Sequence, residues 1–226
     1  MADHGSLEEP QTRSQTLRFG VVLFPGFQAL DVFGPLDCIN VLSWTENVSL
    51  ALISTTLEPV TTKSPASPGA IGQFILPTHT FATAPPLDAL LVPGGLGTQN
   101  SCAPVTEAIE FIQNTYPQLK HLITVCTGSG LAARAGVLDG KQATTNKMAW
   151  AEITALGPRV NWMPRARWVT DGDIWTSSGV SAGIDVTLAW IGEVYGKEKA
   201  QEIANGIEYS RHEDPSLDPF AELHGL

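Results

Sequence analysis

Basic residues are scarce in this chain: 13 Lys and Arg stand against 23 Asp and Glu over 226 residues, a formal net charge of −10. Binding to nucleic acid needs clustered cations to neutralise phosphates, so this balance excludes DNA or RNA as the expected partner. Long apolar runs are missing too, which excludes a membrane-spanning helix and any membrane partner. The opening segment, residues 1–15, carries Asp3, Glu8 and Glu9 and lacks the apolar stretch of a secretory signal; it reads as a disordered lead-in extending to residue 16. Cysteine is sparse as well. Cys38, Cys102 and Cys126 are odd in number and form no CxxC pair, which argues against a disulfide framework or a zinc site and places the protein in a reducing, cytoplasmic compartment. His79, in the expected loop 77–86, has no partner at metal spacing and reads as a solvated residue, so no metal site is expected. Neither GxGxxG nor GxxxxGK[ST] occurs, so no nucleotide cofactor is implied and none of any kind is expected.

What the sequence does contain is a globular core, with 43% hydrophobic and 16% charged residues. Residues 17–24 and 87–95 are near-continuous apolar runs, the pattern of strands buried on both faces of a parallel sheet, and residues 48–55 read as a further strand. Helical spacing follows at 28–41, where Gly34 and Pro35 predict a turn and then a helix beginning near Pro35, with Asp31 in that turn. Residues 105–116 read as an amphipathic helix with Ile109 and Ile112 inward, 150–156 as a helix, 168–180 as a hairpin turning at Asp171, Gly172 and Asp173, and 184–195 as the last long helix. Asp185, in that helix's first turn, suits the helix dipole. Residues 61–72 read as a surface loop, 72–76 as part of a small hairpin, 197–209 as helical, and 211–226 as an acidic, proline-containing tail. Strands alternating with helices predict one α/β domain over residues 17–210, a mostly parallel sheet with helices on both faces.

The stretch at 123–133 is organised for chemistry. A β-branched strand turns abruptly at Cys126 into Thr127, Gly128, Ser129 and Gly130 and then into a helix, the setting of a nucleophile elbow. The amides of Thr127, Gly128 and Ser129 are expected to face the sulfur and to lower the thiol pKa. Asp31 maps to the same carboxyl edge of the sheet, where ligands bind in open α/β folds. The glycines closing the 87–95 strand, Gly94 and Gly95, let backbone approach closely, and the Gly95 amide is a candidate to complete an oxyanion pocket with that of Thr127. Trp44, Trp150, Trp162, Trp168 and Trp175 are candidates for an apolar pocket wall.

The blocks FPGFQALDVFGPLD (24–37), VPGGLG (92–97), VCTGS (125–129), ATT (143–145) and SGVSAGID (178–185) occur in the order and spacing of the ThiJ/PfpI superfamily, and the chain most resembles its isonitrile hydratase branch. The resemblance implies a flavodoxin-like three-layer α/β sandwich with a cysteine at the elbow, working as a homodimer on a small-molecule substrate. It assigns Cys126 as nucleophile, Asp31 as the acid bonded to its sulfur, Thr127 as a pocket residue and Gly95 as a backbone donor. Many relatives carry His where this chain has Asn146; Asn is no general base, which directs the mechanism away from a Cys-His-acid triad and toward Asp31. The implied reaction is hydration of an isonitrile to an N-substituted formamide through a Cys126 thioimidate. The alternatives are a stress sensor in which Cys126 is oxidised to a sulfinate, and a glyoxalase-like enzyme.

Overall fold

The computed structural model describes residues 16–64, 67, 69–99 and 102–226; the expected disordered lead-in falls almost entirely outside them. Apolar, β-branched runs form the sheet's interior. β1 (Leu17–Val22) lies between β2 (Val48–Ser54) and, after the short pair β3 (Val60–Thr61) and β4 (Phe74–Ile75) and the edge strand β5 (His79–Thr80), β6 (Ala89–Val92). β7 (His121–Thr124) follows, then β8 (Gln142–Ala143) and β9 (Asn161–Trp162), a separate two-stranded pair, and the hairpin β10 (Trp168–Asp171) and β11 (Ile174–Ser177). The main sheet runs β10-β11-β7-β6-β1-β2-β5, parallel throughout except that β10 is antiparallel to β11. Its central strands are buried on both faces, as their unalternating sequence requires.

Helices cover both faces of this sheet. α1 (Ala29–Leu42) packs on α5 (Ala182–Tyr195) and α6 (Lys197–Gly206), while α2 (Ala103–Thr115) and α4 (Trp150–Leu156) pack on α3 (Gly128–Arg134). The structure is thus the expected three-layer α/β fold with a mostly parallel sheet.

Three expectations need correction. The helix does not begin near Pro35: α1 runs through it, and Asp31 sits in its first turn. Proline inside a helix costs on the order of 3 kcal/mol, and here the cost is offset by packing. Gly34 lets the helix press on Ile184, where an added Cβ would fall 2.8 Å from Cγ1, and the Pro35 ring meets Gly183. His79 belongs to strand β5 rather than a loop, with Nδ1 2.9 Å from the Thr78 hydroxyl. As expected, Ile112 is buried and Ile109, half-buried, packs against the core, beside Val105 and Ala108 on the same helix. Asp185 serves more than the helix dipole: fully buried, it accepts from Arg167 Nε and Nη2 at 3.0 and 2.9 Å, from the Tyr209 hydroxyl at 3.1 Å and from the His212 amide at 2.9 Å.

Those last bonds tie down residues beyond 210. The Arg167 amide donates to Pro215 O at 2.7 Å, and the side chain of Asp218 is wholly buried, 3.8 Å from Lys147 Nζ and 3.7 Å from Arg167 Nη1. Asp218 also caps a short final helix, α7 (Pro219–Leu223), by accepting from the Phe220 amide at 3.1 Å.

Candidate active site

β7 ends two residues before Cys126 and α3 starts two residues after it, so Cys126 must turn the chain in a conformation that ordinary strand or helix residues avoid. Its φ is +58°, left-handed backbone that is costly for a residue with a Cβ. Four bonds hold it there. The Cys126 amide donates to Ser178 O at 3.1 Å, its carbonyl accepts from Thr145 Oγ1 at 3.0 Å and Ser129 Oγ at 3.2 Å, and the following Gly128 amide donates to Val125 O at 2.9 Å.

Cys126 is 5% exposed, and its sulfur has a defined set of polar neighbours. Asn146 Nδ2 donates to it at 3.2 Å, an orientation locked because Asn146 Oδ1 accepts from the Ala149 amide at 3.0 Å. The backbone amides of Val180 and Thr127 also donate to it. Val180 was not legible as a site residue. It has φ +41°, unusual for a β-branched side chain, and that strained turn is what aims its N–H at the sulfur. Of the three amides expected at the thiol, only that of Thr127 is so placed; that of Gly128 is spent within the turn.

Asp31 comes in from α1. Its Oδ2 accepts from the Gly94 amide at 2.8 Å, while Oδ1 is buried and has no hydrogen-bond partner among the described residues. Burial pushes this carboxyl up to about 7, against the opposing pull of the Gly94 amide and of the Cys126 thiol beside it. The thiol moves the same way. Burial, reinforced by the Asp31 charge, pushes Cys126 up to about 12, and the three donors at the sulfur only partly oppose this. The expectation of a lowered thiol pKa is therefore corrected: desolvation outweighs a helix terminus that supplies one amide. Near neutral pH the pair holds a thiol proton and a carboxyl proton poised to leave.

Gly94 and Gly95 act differently from one another. Gly95, at φ +129°, does not offer its amide to an oxyanion; it donates to Thr127 Oγ1 at 2.9 Å, and that hydroxyl also accepts from Thr98 Oγ1 at 3.0 Å. Gly94 has no room for a side chain: an added Cβ would lie 2.5 Å from the Thr127 nitrogen, 2.6 Å from its Oγ1 and 3.0 Å from Asp31 Oδ2. Gly94→Ala is accordingly expected to lower stability by about 2–3 kcal/mol and to displace Asp31 from the thiol. Thermal unfolding of the variant checks the first effect, and an unchanged melting temperature would refute it.

Beside Asn146 and Val180 lies a cavity of about 210 Å³. None of the five tryptophans proposed as a pocket wall reaches it, and Trp44 is largely exposed to solvent. No group of His, Cys, Asp and Glu among the described residues could hold a metal ion.

A parallel sheet with a strained cysteine at its carboxyl edge, and an acid supplied from the first helix, is an arrangement that the comparisons with known proteins place. The DJ-1/PfpI family model matches residues 18–193. The chain is 36% identical to an isonitrile hydratase from Pseudomonas putida over 198 residues, covering 86% of this chain and 79% of that protein. It is also 35% identical over 140 residues to the HTH-type transcriptional regulator GbdR of Pseudomonas aeruginosa, covering only 37% of the regulator's length. Among solved structures, a ThiJ/PfpI family protein from Pseudomonas syringae superposes with a TM-score of 0.74 at 27% identity, covering 94% of this chain and 83% of that one. Drosophila melanogaster DJ-1beta superposes at 0.70 with 21% identity, covering 87% of this chain and all of that one. The chain belongs to the DJ-1/PfpI family.

Proposed function

We propose that this protein is a cofactor-free isonitrile hydratase, converting R–NC and water to the N-substituted formamide. The observation that carries the proposal is the Cys126–Asp31 pair: a protonated thiol beside a buried carboxyl with one oxygen unengaged, and no histidine among the sulfur's polar neighbours. Isonitrile hydration needs that proton inventory. The sulfur adds to the terminal carbon while the thiol proton passes through Asp31 to the same carbon, giving a thioimidate, R–N=CH–S–Cys126. Water then adds its hydroxyl to the carbon and its proton to the nitrogen. The tetrahedral adduct collapses with formation of the C=O bond, cleavage of the C–S bond and return of the hydroxyl proton to sulfur. Asp31 can relay the proton at each stage because its pKa, near 7, lies close to working pH.

The proposal is supported by the similarity to the Pseudomonas putida hydratase, and Asn146 in place of a histidine disfavours the glyoxalase-like alternative. A thiol held at about 12 carries little thiolate at neutral pH, which disfavours rapid peroxide sensing. The test is chromatographic detection of the formamide from phenyl isonitrile with purified protein; no formamide above the buffer rate would sink the reading.

The working unit in this proposal is a homodimer in the cytoplasm. Leu30, Phe33 and Leu50 line one surface groove along α1 and are 41, 41 and 39% exposed, an apolar surface suited to burial against a second copy. Among the described residues no helix is long and apolar enough to cross a membrane. Analytical ultracentrifugation at micromolar concentration should give twice the 24.1 kDa chain mass, and a monomer would refute the pairing.

A further inference from the structure

The cavity next to the thiol is built from two parts of the chain that the reaction itself does not use. Its inner wall includes Asn146 and Val180, the two residues whose N–H groups reach the sulfur from this side; its outer wall is Met148 with Phe220 and His224, the last two from α7 and the residue that follows it. Phe220 and Met148 are 48 and 80% exposed, so neither is there to fill the core. Yet the segment that presents Phe220 is firmly seated. Asp218 is buried between Lys147 and Arg167, its amide donates to Arg165 O at 2.9 Å, its carboxylate caps α7, and Ala221 packs inward. A buried charge cluster fixing five residues of helix is a large investment for a surface tail.

We infer that this cavity receives the substituent R of the isonitrile and that Phe220 is its specificity-determining residue, selecting compact apolar groups of one ring or a branched alkyl chain over fused rings. The inference rests on the hydratase reading and deepens it. Geometry requires that R project away from the carbon attacked by Cys126, and the cavity lies one side chain away: its wall includes Asn146, whose Nδ2 donates to the sulfur at 3.2 Å, while Cys126 itself lies behind that wall. Size then discriminates: an enclosed apolar void of about 150 Å³ accommodates benzene, so a cleft of about 210 Å³ that is open to solvent on one side accepts a single ring, with Phe220 at its outer edge. Chemistry discriminates too. Met148, Val180 and Phe220 supply most of the apolar lining, and the polar residues beside them, Lys147, His224 and two serines, include no carboxylate, so a cationic substituent loses its hydration without a charged replacement.

The experiment compares phenyl and 2-naphthyl isonitrile with wild type, Phe220→Ala and Phe220→Trp. Phe220→Ala is expected to lower kcat/KM for the phenyl substrate about tenfold, mostly through KM, and to shift the phenyl-to-naphthyl preference at least tenfold toward naphthyl; Phe220→Trp shifts it the other way. A preference unchanged in both variants would overturn the assignment. Because Phe220 is half exposed its replacement spares the core, and a thermal melt of each variant checks this. A second readout does not depend on hydration. In a Cys102→Ser background, which removes the exposed cysteine, alkylation of Cys126 by N-methylmaleimide and by N-(1-naphthyl)maleimide is followed by peptide mass. The naphthyl-to-methyl rate ratio should rise several-fold in Phe220→Ala; an unaltered ratio, or no reaction at Cys126 with either reagent, refutes the cavity as the route to sulfur. Absence of isonitrile turnover in wild type together with a raised alkylation ratio would reject the reaction and keep the pocket.

Discussion

Cys126→Ala is expected to reduce formamide formation by at least about a thousandfold, to the uncatalysed level, while leaving the melting temperature within a few degrees of wild type. Loss is complete in this scheme because the sulfur forms the only covalent bond to substrate; without it, Asp31 and the amides can bind and orient an isonitrile but cannot open the low-energy path through a thioimidate. Retention of the fold follows from the elbow's construction. The conformation at φ +58° is held by backbone bonds to Ser178 and by the hydroxyls of Thr145 and Ser129 on the Cys126 carbonyl, none of which uses the sulfur. Cys126→Ser is expected to be nearly as inactive, since a hydroxyl is a far weaker nucleophile in the same site. Parallel activity assays and circular-dichroism melts decide the matter, and turnover within tenfold of wild type in Cys126→Ala would remove covalent catalysis from the account.

Asp31→Asn is expected to lose activity by a hundredfold or more and to gain stability above neutral pH. An amide still accepts from the Gly94 amide but carries no proton between thiol, carbon and water. The stability gain follows from the direction of the Asp31 shift. Its carboxyl titrates near 7 in the folded protein and near 3.8 when unfolded, so the folded state keeps its proton longer. The associated stability is fully present below pH 3.8 and is lost as pH rises through 7. Above that, the buried carboxylate costs up to about 4 kcal/mol, a cost the asparagine avoids. The variant should therefore melt several degrees higher than wild type at pH 8, with the gap closing toward pH 4. In wild type, kcat/KM should rise with pH through about 7 as the carboxyl releases its proton and becomes free to accept that of the thiol. A melting temperature that falls at pH 8 on Asp31→Asn would contradict the burial cost.

The sheet and the elbow were legible because they are written locally. Apolar runs without alternation mark β1 and β6, and the change at Cys126 from β-branched to small residues marks the turn, so the parallel fold and Cys126 followed from short-range pattern, whereas the pattern placed Asp31 only at the sheet's carboxyl edge and its part as the acid came from the family resemblance. α1 was misread because Pro35 is a local break signal overridden by packing of Gly34 and Pro35 against α5, which no window of residues 28–41 contains. The thiol pKa was misjudged for a similar reason: helix amides can be counted from sequence, whereas the burial that outweighs them is set by neighbours from Asn146 and Val180, 20 and 54 positions away. The Lys147, Arg167, Asp185 and Asp218 cluster, and with it the seating of Phe220, joins residues far apart in sequence whose partners no spacing rule specifies.

The strand order has a kinetic side. β1 lies opposite β6 with Phe19 facing Ala89, and β7 lies opposite β11 with Leu122 facing Ile174, so these two ladders close loops of 70 and 52 residues when they form. Such non-local pairings make folding slow relative to helical proteins of this size. Asp31, Gly94, Cys126 and Val180 come from the ends of these separate segments, so the reactive pair does not exist in any partly assembled chain. The thiol therefore becomes shielded and proton-coupled only when the central strands have found their register; before that it is an exposed cysteine with its ordinary, lower pKa, and burial in the folded site is what protects it from stray electrophiles.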